Sequence, residues 1–240
     1  MEKKVYIIVL NWNGKADTLD CLESLRSTAY GNYQVVLVDN GSEDDSVAAV
    51  RADFPEAEVV ETGKNLGFAG GNNVGIGYAM KQGADYVFLI NNDTTVHPDY
   101  LKELVAAAES DDKIGAVGSK IYYHSEPERI WFAGGKINWL CNKGEHIGLD
   151  EIDKGQFDET GEVGYLTGCA LLVKREVVEK IGVEKARKAA EGADLIVYVV
   201  DGSCPLDEND EEIFESACEE FEKIYKKEIE ELTSAKNLLK

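Results

Sequence analysis

Basic residues are scarce. Lysine and arginine together number 25 against 46 aspartates and glutamates in 240 residues, for a formal net charge of −21. Phosphate backbones are held by lysine and arginine clusters, and no such cluster occurs, which argues against a nucleic-acid binder. A small anionic ligand suits so acidic a chain only through an intervening cation. Two unit charges about 4 Å apart interact by roughly 1 kcal/mol in water, and by more where water is excluded, so a diphosphate needs a divalent ion beside these carboxylates. Elsewhere on the chain the acidity reads as solubility.

Long apolar runs are also missing, and none approaches transmembrane length. Residues 5–10 follow Met1-Glu-Lys-Lys as the core of a signal peptide would, but the run is short, stops at Asn11 and has no small-residue cleavage site. Cys21, Cys141, Cys169, Cys204 and Cys218 are odd in number and lack metal-ligand spacing, which fits a reducing compartment. These features predict a soluble, cytoplasmic chain that can still touch a membrane peripherally. Two nucleotide-binding signatures are absent as well. No Gly-x-Gly-x-x-Gly follows the first apolar run, and Gly14-Lys15 leads to Ala16 rather than to the serine or threonine of a phosphate loop.

What is present is an alternation of short apolar runs with helical spacing. Strands are predicted at 5–10, 34–38, 59–60 and 87–90. Helices are predicted at 17–27, from Ser42 to Phe54, from the glycine-rich stretch 63–73 to near Gly83, and beyond Pro98 with Leu101, Leu104 and Val105 on one face. This order implies an α/β fold with a parallel sheet wound by right-handed crossovers. Beyond Gly118, the aromatic and glycine-rich segments at 121–123, 130–135, 137–139 and 163–168 read as mixed or antiparallel strands, with a mobile acidic loop over 145–159. Near the end, Phe214, Ala217, Cys218, Phe221, Ile224, Tyr225, Ile229 and Leu232 share one helical face, suited to core packing or to a partner.

Two of these strands run into polar residues. The second ends at Asp39-Asn40-Gly41-Ser42 and the fourth at Asn91-Asn92-Asp93. Open α/β sheets hold ligands beyond the carboxyl ends of their strands, so two neighbouring parallel strands would deliver Asp39 and Asp93 to one edge. Asp93 and its amides can bind a hard cation through oxygen, since Mg²⁺ or Mn²⁺ takes one or two carboxylates and leaves the rest to phosphates and water. Asp39 can accept an N–H from a pyrimidine or cap the following helix, and both readings stand. The glycine-rich stretch either offers backbone N–H groups at a helix start to a ligand or makes a tight turn.

Five blocks in order carry a family resemblance: Ile7-Ile-Val-Leu-Asn-Trp-Asn-Gly14, Leu37-Val-Asp-Asn-Gly-Ser42, Asn65-Leu-Gly-Phe-Ala-Gly-Gly-Asn-Asn-Val-Gly75, Leu89-Ile-Asn-Asn-Asp93 and Thr167-Gly-Cys-Ala-Leu-Leu-Val-Lys-Arg175. Over residues 1–182 the chain resembles the family 2 glycosyltransferases, most closely the rhamnosyltransferase-like branch. The resemblance implies a GT-A fold, a dTDP- or UDP-sugar donor, Mg²⁺ or Mn²⁺, and inverting transfer to a hydroxyl of a glycan or lipid-linked acceptor. It places Asn11 and Asn13 by the nucleotide and gives Asp39 the base to read, with Asn40 and Ser42 beside that contact. It lines the base and ribose pocket with Gly67, Gly70, Gly71 and Asn73. Asn91 and Asn92 stand at the metal motif with Asp93 as the metal ligand, and Thr167, Gly168 and Cys169 form the acceptor side.

The match departs after Gly182. The family continues to a Glu-Asp-type motif that supplies the catalytic base, and then to a histidine; here no such block follows and no histidine occurs after His146. Glu184 and Asp194 do not match the motif, so no catalytic residue is assigned. Residues 178–212 instead resemble the piece after switch II in TrmE-type tRNA-modifying GTPases. This suggests a chimera joined near 178–182, with 183–240 as an atypical strand–helix tail. A non-catalytic truncated or chimeric scaffold is therefore the rival reading, while a GTP-binding regulator is disfavoured by the missing phosphate loop.

Overall fold

The computed structural model describes residues 2–138 and 143–181, which make up the compact unit Met1–Val178 and the rest of one helix. The tail from residue 182, the helical face at 214–232, Trp139 and the cysteines at 141, 204 and 218 lie outside the described residues.

β1 (Val5–Asn11) is buried on both faces. Val5, Ile7 and Val9 enter one core and Tyr6 and Ile8 the other, which is why it reads as a continuous apolar run rather than an alternating one. It lies between β2 (Tyr33–Asp39) and β4 (Tyr86–Asn91), parallel to both, and β3 (Glu58–Glu61) pairs beyond β2. On the first face, α1 (Lys15–Arg26), α2 (Ser46–Asp53) and α4 (Tyr100–Glu109) contribute Leu22, Leu25, Val50, Leu101 and Leu104 to a core around Ile7, Leu37 and Phe88. Each such side chain taken out of water contributes about 1.5–3 kcal/mol.

On the second face, α3 (Gly67–Lys81) packs closely against β1 and β2. A Cβ on Gly71 would meet Leu10 Cδ1 at 2.4 Å, and one on Gly75 would meet Ile8 Cγ2 at 2.5 Å and Val38 Cγ2 at 2.8 Å. Two glycines one turn apart thus let the helix lie directly on the strand ends.

The sheet is not parallel throughout. β10 (Ala170–Lys174) inserts antiparallel between β4 and β5 (Ala116–Gly118), giving the order β3-β2-β1-β4-β10-β5. α5 (Arg175–Ile181) follows, and Arg175 donates to the carbonyls of Ala84 and Met80. Two antiparallel ribbons complete the unit: β6 (Ile121–Tyr123) with β7 (Glu126–Phe132), and β8 (Gly135–Asn138) with β9 (Lys143–His146).

Several expectations need correction. β2 and β4 are not neighbours, because β1 runs between them. α2 begins at Ser46 rather than Ser42: Ser42 is taken up by the turn, donating its N–H to Asp39 and accepting from Asn13 N–H, while Asp44 accepts from Ser46 N–H at the first residue of the helix. The glycine-rich stretch is itself helical from Gly67. Residues 163–168 form no strand beyond an isolated bridge of Tyr165 to Gly135. The acidic loop is held along β7 by Ile130 N–H to Glu151 O (2.8 Å), Asp150 N–H to Ile130 O (2.9 Å) and Asp153 N–H to Glu128 O (2.8 Å). Lys120 clasps it, with Nζ 2.6 Å from both Asp153 and Asp158. The Lys120 ammonium, helped by Tyr122 and the Gly155 N–H, holds the Asp153 carboxyl down to about 2.

Candidate functional site

β1, β2 and β4 stop in register at one edge, with Asn11 opposite Asp39 and Leu10 opposite Asn91. Asn11 is fully buried and its amide is the hub of that edge. Its Nδ2 faces Asp39 Oδ1 (2.9 Å), Ser42 Oγ (3.0 Å) and Ser46 Oγ (2.8 Å), while Oδ1 accepts from Gly14 N–H (3.2 Å) and Thr18 Oγ1 (2.9 Å). A carboxylate can only accept and a backbone N–H can only donate, so Asp39 and Gly14 fix which way the amide points. Asp39 is 3% exposed and takes a second hydrogen bond on Oδ2 from Ser42 N–H (3.0 Å). Asn13, exposed and with φ of 53°, accepts from Glu43 N–H at 2.7 Å and donates its own N–H to Ser42 Oγ at 2.9 Å. Asn11, Asn13, Asp39 and Ser42 therefore form one network.

Asn40 belongs to a second network. Its Nδ2 reaches Asn65 Oδ1 (2.9 Å) and Gly67 O (3.2 Å), and its Oδ1 accepts from Leu66 N–H (2.9 Å). Asn65 Oδ1 also accepts from Gly67 N–H at 2.8 Å, so amide side chains already satisfy two N–H groups at the start of α3. Gly41 permits this approach: its φ is +77°, and a Cβ there would lie 2.6 Å from the Lys64 backbone. Gly71 is buried on the strand-facing side of α3, a Cβ on Gly70 would lie 2.8 Å from Leu66 Cβ, and Asn73 is exposed on the helix.

The turn after β4 forms the third part. Asn91 N–H donates to Cys169 O (3.1 Å), Asn92 Nδ2 donates to Thr18 Oγ1 (3.0 Å), and Cys169 N–H donates to Thr167 Oγ1 (3.3 Å). Gly168 turns the chain into β10. The thiol of Cys21 lies 3.8 Å from Asn91 O, and that of Cys169 lies 3.5 Å from Thr94 Oγ1. Burial, with the nearby Asp93 charge and Cys169, pushes the Cys21 thiol up to about 12; burial and Asp93 also raise Cys169, against the Thr94 hydrogen bond. Both thiols are thus poor nucleophiles.

Asp93 is exposed and pairs with no lysine or arginine among the described residues. Nor do three His, Cys, Asp or Glu side chains converge as a metal-binding group among those residues. One uncompensated carboxylate beside two amides fits a hard ion that brings phosphate and water ligands with it, rather than a metal held by protein alone.

Two residues of this edge, Trp12 and Thr18, escaped the sequence analysis. Trp12 is 56% exposed beside Asn11. Thr18 and Asn92 bridge the first and third networks. Thr18 had a readable signal: it is the polar member of the buried stripe Thr18, Cys21, Leu22 and Leu25 on α1.

The family model for glycosyl transferase family 2 matches residues 6–182. The chain is 30% identical over 171 residues to the protein y4gI of Sinorhizobium fredii, covering 66% of this chain and 18% of that one. It is 22% identical over 185 residues to the dTDP-rhamnosyl transferase RfbF of Shigella flexneri, covering 76% and 57%. The chain thus spans less than two thirds of either relative. Among solved structures, the mannosyltransferase PcManGT from Pyrobaculum calidifontis superposes with a TM-score of 0.52 at 19% identity, covering 80% of this chain and 52% of that one, a likeness of fold. A stretch of 40 residues, 17% of the chain, is 55% identical to 9% of the tRNA modification GTPase MnmE of Lachnoclostridium phytofermentans. No helix among the described residues is long and apolar enough to cross a membrane. With the family model matched across most of its length and a mostly parallel sheet of GT-A type beneath it, the chain belongs to glycosyl transferase family 2.

Proposed function

We propose that this edge binds a nucleoside-diphosphate sugar, dTDP- or UDP-linked, together with Mg²⁺ or Mn²⁺, for inverting transfer to a hydroxyl of a glycan or lipid-linked acceptor. The observation that carries the reading is the convergence of three parallel strand ends on one edge, where a buried, oriented Asp39 and an exposed, uncompensated Asp93 flank Asn11. Asp39 is held by Asn11 and Ser42 so that its remaining lone pairs can accept the ring N–H of uracil or thymine. Trp12, exposed and next to Asn11 in sequence, supplies an indole on which a base can stack. Asn13 is exposed at this edge, and Gly71, which lets α3 approach Leu10 and Asn40, brings Gly67, Gly70 and Asn73 to line the ribose. The bound cation would offset the diphosphate and stabilise the charge developing on the leaving group. Thr167, Gly168 and Cys169, tied to Asn91 through the Cys169 carbonyl, face the acceptor side. RfbF is named for a dTDP-sugar reaction and PcManGT was solved with GDP-Man and Mn²⁺, which favours a donor of this class.

No residue is assigned as the catalytic base. The short MnmE-like stretch favours a second reading, in which the chain is a chimeric, non-catalytic scaffold that retains the nucleotide site. In either reading the chain works in a reducing, cytoplasmic setting, with any membrane contact peripheral.

Calorimetric titration of UDP and dTDP, with and without Mn²⁺, tests the site. Binding should tighten with the metal, and in its presence Asp93→Ala should weaken it by at least about tenfold, the loss expected when a charge-assisted contact of about 1.4 kcal/mol is removed. Metal-independent binding, or none, overturns the proposal. Sugar transfer from a labelled donor then separates enzyme from scaffold.

A further inference from the structure

The candidate base site at Asp39 and the candidate cation site at Asp93 belong to strands separated by β1, yet one unbroken hydrogen-bonded line joins them. Asn92 Nδ2 reaches Thr18 Oγ1 at 3.0 Å, Thr18 Oγ1 reaches Asn11 Oδ1 at 2.9 Å, and Asn11 Nδ2 reaches Asp39 Oδ1 at 2.9 Å. Thr18 and Asn11 are fully buried, so water does not compete for these bonds.

The direction of the line is fixed by chemistry. Asp39 can only accept, which turns the Asn11 amide nitrogen toward it and its oxygen toward Thr18. The Thr18 hydroxyl has a single hydrogen, which it gives to that oxygen, so its lone pair must receive the Asn92 amide. All three donors point from the β4 turn toward Asp39, and aligned donors of this kind strengthen one another. The neighbouring backbone makes room for the line. A Cβ on Gly14 would stand 2.5 Å from Asn92 Nδ2 and 3.3 Å from Asn11 Oδ1, so only glycine leaves space for both amides.

The bonds are unevenly shared. Asn11 keeps four other partners if Thr18 is lost, whereas Thr18 is the only hydrogen-bond partner of the Asn92 side chain among the described residues. Losing the hydroxyl should therefore free the Asn92 side chain next to Asp93 while leaving Asp39 in place.

We propose that Thr18 is a positioning residue that couples the two halves of the donor site, so that a base seated at Asp39 and a metal-loaded diphosphate at the Asp93 turn favour each other's binding. This rests on the donor-site reading above and adds to it a dependence on a residue that touches neither ligand.

The test compares two ligands, the diphosphate that the wild-type protein binds (UDP or dTDP) and the matching monophosphate, which keeps base and ribose but lacks the second phosphate. Thr18→Val keeps the shape and removes the hydroxyl. In that variant the gain in diphosphate affinity on adding Mn²⁺ should fall by about fivefold or more, the lower end of ordinary site-to-site coupling, while monophosphate affinity stays within about twofold. Thr18→Ser should restore the gain. If Thr18→Val does not fold, Gly14→Ala displaces Asn92 without touching the hydroxyl and should give the same pattern. An undiminished metal gain in the folded variant overturns the proposal, and so do parallel losses for both ligands, which mark a merely structural role. A wild-type protein that shows no metal-dependent binding removes the donor-site reading itself, a separate outcome.

Discussion

At the scale of the residue, Asn11 shows what a sequence can and cannot disclose. An amide at a strand end reads as a candidate ligand group, and its place at the site edge was legible. Its partners were not, because Asp39, Ser42 and Ser46 come from a stretch 28 to 35 residues away and only folding brings them onto the same amide as Gly14 and Thr18. Once those partners are counted, Asn11 has no capacity left for a ligand and acts by holding Asp39. Asn11→Ala should accordingly destabilise the protein by about 2–3 kcal/mol in urea unfolding, since it leaves buried acceptors and donors unpaired. A change below about 0.5 kcal/mol would show that the network contributes little. Asp93 is the converse case. Its candidate role was legible at the strand end, and the folded structure adds that no lysine or arginine among the described residues pairs with it.

At the scale of the element, α3 carries the clearest lesson. The glycines at 67, 70 and 71 read as part of a stretch leading into a helix because glycine is a poor helix former, yet contact with the strand ends at Gly71 and Gly75 requires residues without side chains and outweighs that propensity. The two kinds of glycine can be separated by substitution. Gly75→Val should lower stability by about 1–3 kcal/mol through overpacking against Ile8 and Val38. Gly77, on the same helix with nothing within 4 Å of a Cβ, should tolerate alanine with a gain of about 0.5–1 kcal/mol. Urea midpoints of the two variants check both signs. The parallel strands were legible from their apolar runs, whereas β10 was recognised only as part of a family block, because five residues of Ala-Leu-Leu-Val-Lys do not declare their direction.

At the scale of the whole molecule, the charge of −21 sets the conditions under which any anionic ligand is met. Without a divalent ion, affinity for UDP or dTDP should rise as sodium chloride goes from about 20 to about 200 mM, because the screening length shrinks below the spacing of the surface charges. With Mn²⁺ present this rise should flatten or reverse. Metal-free titrations at the two salt concentrations check it, and a fall in affinity would mean that local cations, not the overall field, govern the encounter.

The antiparallel β10 also has a consequence for the order of assembly. β1 to β4 come from the first 91 residues, but β10 contributes residues 170–174 to the other side of β4. A growing chain that has released the first four strands already holds Asn11, Asp39 and Asn91, with Tyr86–Asn91 as a bare, apolar sheet edge awaiting its partner. Such an edge is a template for pairing with other chains. Between synthesis of β4 and of β10 that edge lacks its partner strand and is open to such pairing. It is closed by the segment Cys169 to Lys174, whose first residue also ties its carbonyl to the Asn91 N–H at the end of β4.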